Sequence, residues 1–92
     1  MYVNAAEIEF KLFDCKSLKQ KRQISWKILD KSRHKFNVAI AETDKQDVLN
    51  TLVIGVAVVS SSASHGHLML QRIIHYLELT EEAQLIAVTW YE

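Results

Sequence analysis

Thr51-Leu52-Val53-Ile54-Gly55-Val56-Ala57-Val58-Val59-Ser60 is the stretch that decides the fold. Its apolar run, residues 52–59, is far short of the roughly 20 residues a membrane helix needs. An extended segment that is apolar on both faces needs a neighbour on each side, so it predicts a strand central in its sheet. Just upstream, residues 38–43 read as another strand, joined to it by the polar Thr43-Asp44-Lys45-Gln46-Asp47. Before that strand, Leu18, Lys21, Ser25, Ile28, Leu29, Ser32 and Phe36 follow helical spacing, with Ile24 at the margin. Ser17 is placed to cap this helix and Asn37 to end it. At the start of the chain Ala6, Ile8, Phe10 and Leu12 alternate with Glu7, Glu9 and Lys11, a strand with one buried face. Downstream, Ser60-Ser61-Ser62 offer caps for a second helix whose buried edge is Leu70, Ile73, Ile74 and Leu77, and residues 84–91 form the last strand. The order βαββαβ predicts an α+β, ferredoxin-like domain, a four-stranded antiparallel sheet with two helices on one face.

Ninety-two residues, half of them apolar, make one globular domain spanning residues 1–92. The first residues, Met1-Tyr2-Val3-Asn4, have neither the positive start nor the apolar core of a signal peptide. A single cysteine, Cys15, cannot form an internal disulfide, which suits a reducing cytoplasm. The expected location is therefore cytoplasmic.

The neutral net charge hides a split. Residues 16–35 contain eight bases and one acid, net +7, and the other segments contain three bases and ten acids, net −7. A one-sided basic surface is what a phosphate-rich partner recognises. Lys19, Lys21, Arg22, Lys27, Lys31, Arg33 and Lys35 are the candidate RNA-binding residues, with the helix as the contact element. Replacing Lys19, Lys21 and Arg22 by glutamate is expected to abolish binding with the fold intact. The central strand has no aromatic residue, so recognition would not use a base-stacking platform there.

The fold leaves one sheet face uncovered. With Val38 and Ile40 toward the helices, Ala39 and Ala41 face outward, and the set Val53, Gly55, Ala57 and Val59 is preferred outward on the central strand. Ala39, Ala41, Gly55 and Ala57 are thus the candidate oligomer interface, and a homodimer is expected.

Other residues carry less. Trp26 lies on the side of the helix that bears Arg22 and Arg33, and is expected to cover the core edge beneath the arginine stems. On a helix His65 and His67 point roughly 200° apart and cannot share an ion. Cys15 precedes a helix N-terminus with no base placed beside it. Glu42, Asp44 and Asp47 are explained by turn chemistry. No catalytic residue, metal site or cofactor is expected.

Ser17-Leu18-Lys19-Gln20-Lys21-Arg22, Phe36-Asn37-Val38-Ala39-Ile40-Ala41-Glu42, Gln46-Asp47 and Gly55-Val56-Ala57-Val58-Val59-Ser60 resemble, in order and spacing, the YlxP-like family of small bacterial proteins of unknown function. His65 also falls at a family histidine. Leu49, Thr51 and Trp26 depart from the pattern. The resemblance implies a ferredoxin-like fold and, because such genes often neighbour those for translation initiation factor two and ribosome-binding factor A, a link to the ribosome. The expected function is a non-catalytic accessory protein binding ribosomal RNA or the ribosome. The alternative is an interaction module acting through the uncovered sheet face, and an enzyme of unknown substrate is a third reading.

Overall fold

The computed structural model describes residues 1–91. The predicted order is found: β1 (Tyr2–Leu12), α1 (Leu18–Lys35), β2 (Ala39–Asp44), β3 (Thr51–Ser60), α2 (Ala63–Glu78) and β4 (Ala83–Tyr91). The strands lie in the order β2-β3-β1-β4, all antiparallel, so the doubly apolar β3 is central. The domain is α+β and ferredoxin-like.

β1 begins four residues before the alternation suggests. Tyr2 pairs with Ser60 and Val3 with Val59, so β3 extends its partner to the end of its own length. Ser17 Oγ accepts from Gln20 N at 3.0 Å and starts α1, and Gln20 Oε1 accepts from Lys16 N at 2.9 Å, a displaced form of the capping box. Ser62 starts α2 in the same way by accepting from His65 N. Ala6, Ile8, Phe10 and Leu12 of β1 meet Leu52, Ile54, Val56 and Val58 of β3 beneath Leu70, Ile73, Ile74 and Leu77 of α2. α2 lies chiefly over β1 and β3, and α1 over β2. The buried stripe of α1 is unusual, consisting of Lys21, Ser25, Ile28 and Ser32.

The outer sheet face follows from register. Ala39, Ala57, Ala5 and Tyr91 form one row across the strands, and Ala41, Gly55, Glu7 and Thr89 the next. Gly55 is required here by a close approach, since a Cβ on it would lie 2.5 Å from Thr43 Cγ2. Thr43 reaches over that space to donate to Glu7 Oε2 at 2.7 Å, and the Tyr91 hydroxyl donates to Glu7 Oε1. These bonds, Tyr91 first, hold the Glu7 carboxyl below its ordinary value. A depressed carboxylate contributes stability above its unfolded pKa, and that contribution is lost as pH falls through the folded value. Tyr91→Phe is expected to move the Glu7 titration upward, read by NMR of its side-chain carbon. An unmoved titration would remove Tyr91 as the main cause.

Candidate nucleic-acid interface

The seven candidate bases of α1 do not form one surface. Lys21 is 1% exposed. Its Nζ donates to Lys45 O at 2.5 Å and Gln46 O at 3.3 Å, and lies 3.2 Å from Glu42 Oε2. The contact to Glu42 is ionic, and the directional bonds of the ammonium go to the two carbonyls. Lys21 therefore cannot contact RNA phosphate, which corrects the expectation. It latches the β2–β3 loop, where Lys45 holds a left-handed φ of 51° and Asp44 Oδ1 accepts from Lys45 N at 2.8 Å. That local bond is the turn chemistry expected of Asp44.

Arg33 is turned toward the sheet edge, where Nη2 donates to Ile40 O at 2.9 Å. Lys27 Nζ binds Glu82 Oε1 at 2.5 Å, tying α1 to the turn before β4. That hydrogen bond raises the Lys27 pKa and lowers that of Glu82. Lys35 lies over the Tyr76 ring, 5.3 Å from its centroid. Lys31 lines a cleft with Glu81 and Glu82. Lys19 and Arg22 are exposed and have no ion-pair partner among the described residues.

Trp26 corrects a second expectation. It is 65% exposed and does not lie over the core edge. It follows Arg22 by one helical turn, on the side that carries Arg33, so the solvent ridge of α1 runs Lys19, Arg22, Trp26. A stacking aromatic beside exposed cations can hold a phosphate and the face of a base together. The spacing rule could have found this exposure, because Trp26 stands well off the stripe of Ser25 and Ile28.

The remaining candidates lie elsewhere. The candidate oligomer-interface residues Ala39, Ala41, Gly55 and Ala57 all belong to the outer sheet face, as the preferred strand orientation required. Val53 shares that face but is only 6% exposed. Cys15 is half-buried, its thiol directed at Ser17 O at 3.6 Å. His65 is exposed, and His67 stacks on Trp90 at 4.7 Å between centroids. Among the described residues no three His, Cys, Asp or Glu side chains are grouped to hold a metal ion. Among the described residues no helix is long and apolar enough to cross a membrane.

Residues 3–90 match the family model described as "Protein of unknown function (DUF503)". The chain is 35% identical over 82 residues, 89% of each chain, to "Uncharacterized protein YlxP" of Bacillus subtilis (strain 168). The blocks Ser17–Arg22, at the start of α1, and Gly55–Ser60 in β3 lie within the matched span. The chain belongs to the DUF503 family of YlxP-like proteins.

Proposed function

We propose that this protein is a cytoplasmic, non-catalytic accessory factor that binds folded RNA, in the first instance ribosomal RNA, through the outer ridge of α1. The observation that carries the reading is Trp26, left 65% exposed beside Arg22 and Lys19 on a segment of net charge +7. Tryptophan and arginine also anchor protein interfaces. The excess positive charge of the segment supports a polyanion, because releasing condensed counterions from phosphates supplies most of such affinity. Lys19, Arg22 and Lys31 are the phosphate contacts, with Lys27, Arg33 and Lys35 able to join only by giving up the contacts that now hold them. A role for Cys15 or Glu42 in chemistry has less support, since each is engaged by its own surroundings.

The test is RNA binding by fluorescence anisotropy across a salt series. Trp26→Ala is expected to weaken binding by about 1–3 kcal/mol, the worth of one base–aromatic stack. Lys19→Gln with Arg22→Gln is expected to lower the slope of log K against log salt by about 2. Affinity and slope unchanged in both variants would overturn the reading.

The competing reading, association through the uncovered sheet face, is favoured by Val3 and Val59, paired there and 53% and 63% exposed. It predicts indifference to RNA and loss of association when Ala41 or Ala57 becomes aspartate.

A further inference from the structure

The exposed groups of α1 are sorted around the helix. Its buried residues, Lys21, Ser25, Ile28 and Ser32, fix the side that meets the sheet. At about 100° per residue, the opposite side is centred between Gln23 and Asp30. Arg22 and Lys31 are nine residues apart, so about 180° round the helix, each roughly a quarter turn from that crest. Both are exposed, and neither has an ion-pair partner among the described residues. The Arg22 flank overhangs the β2 edge, because Arg33, about 20° from it, reaches Ile40 O. The Lys31 flank borders α2, where Lys31 shares a cleft with Tyr76 and Leu77. Trp26 stands between Arg22 and the crest. The one acid of the basic segment, Asp30, lies on the crest itself, 3.6 Å from His34.

Resting on the RNA-binding role of this ridge, we propose that its target is an RNA duplex interrupted by one unpaired base, with the wide minor groove laid over α1. A single strand that follows the helix meets one flank and leaves the cation of the other in water. A duplex offers two backbones, and in A-form RNA these border a wide, shallow minor groove that displays 2′-hydroxyls. α1, about 10–12 Å across with its side chains, presents Arg22 to one backbone and Lys31 to the other. The crest then lies over the groove floor. There Gln23 and the Asp30 carboxylate meet hydroxyl donors and not phosphates. On a surface pressed against phosphates, an acid at the centre would only repel.

Trp26 supplies the requirement for an unpaired base. α1 carries a single indole and β3 no aromatic, so one base is stacked and no more. A base–aromatic stack is worth about 5- to 150-fold in affinity. Within a continuous duplex both faces of a base are covered, and freeing one costs about as much as the stack returns. A base already unpaired, in a bulge or an internal loop, keeps the whole gain. A stack reads the flat face of a base and not its hydrogen-bonding edge, so the identity of that base should matter little.

Fluorescence anisotropy on the full chain tests this with a matched set of labelled RNAs. The set is a continuous duplex, the same duplex with one bulged adenosine, the same with that nucleotide abasic, and one strand alone. The bulged duplex is expected to bind roughly tenfold tighter than the continuous one, and the abasic bulge to lose that gain. Trp26→Ala should erase the preference and keep salt-dependent binding to both duplexes. Arg22→Gln and Lys31→Gln should each lower the slope of log K against log salt by about 1 on the bulged duplex. Equal affinity for bulged and continuous duplexes would overturn the proposal while leaving the RNA-binding role of the ridge intact. So would a single strand bound as tightly as the bulged duplex, or a slope lowered by Arg22→Gln and unmoved by Lys31→Gln. No binding to any member of the set would overturn the RNA-binding role and the proposal with it.

Discussion

Lys21→Ala is expected to destabilise the domain by roughly 3–5 kcal/mol, the cost of leaving a partner of a buried ion pair alone. The side chain is 1% exposed and its ammonium meets Lys45 O, Gln46 O and Glu42 Oε2 together. Truncation leaves two carbonyls without a donor, a largely buried carboxylate without a counter-charge, and a cavity under the β2–β3 loop. In a domain of this size each kcal/mol moves the thermal midpoint by about 4–8 °C, so the midpoint should fall by well over 10 °C. Lys19→Ala, two residues away on the solvent face, should stay within about 0.5 kcal/mol of the parent. Pairing Lys21→Met with Glu42→Leu should recover part of the loss, because a buried pair contributes little beyond apolar residues of similar volume. Calorimetry that found Lys21→Ala within 1 kcal/mol of the parent would contradict the latch. The latch also changes how binding variants are read. Reversing Lys19, Lys21 and Arg22 together puts a carboxylate beside Glu42 and is expected to unfold the domain, so lost RNA binding there would say nothing about phosphates.

Gly66→Ala is the second large effect, and its sign runs against propensity. Within a helix this change ordinarily stabilises by up to about 1 kcal/mol. Here a Cβ would stand 2.1 Å from Asn4 Oδ1, 2.8 Å from Asn4 Cγ and 2.9 Å from Ser60 Oγ. Asn4 Nδ2 donates to Ala63 O at 3.4 Å, so the Asn4 amide is wedged between the first turn of α2 and the end of β3. Overpacking of this kind costs about 1–3 kcal/mol. Urea denaturation should show that loss in Gly66→Ala and largely remove it in Asn4→Ala with Gly66→Ala, a non-additivity expected of touching residues. A single variant as stable as the parent would show that the helix start shifts freely.

Periodicity made the scaffold legible. The limits of β3 and the cap of each helix were readable because doubly apolar runs and serine caps are local signals. The start of β1 was not, because residues 2–5 are held by pairing with the far end of β3, which no local pattern encodes. The site was only partly legible. Helical spacing already put Lys21 in the buried stripe with Ser25 and Ile28, and its charge alone argued for solvent. Its partners, Glu42 and the carbonyls of Lys45 and Gln46, belong to other elements. Arg33 on Ile40 O and Lys27 on Glu82 were hidden for the same reason. Counting bases measures the charge of a segment; only tertiary contacts say which of those charges are already engaged.

Sedimentation of the protein with small ribosomal subunits, at low and at high salt, tests the central claim that the α1 ridge binds RNA. The account predicts co-migration at low salt that is lost steeply as salt rises. It also predicts that Lys19→Glu with Arg22→Glu and Trp26→Ala, a fold-preserving variant, remains at the top of the gradient. Co-migration of that variant with the subunits, as complete as for the parent chain, would contradict it.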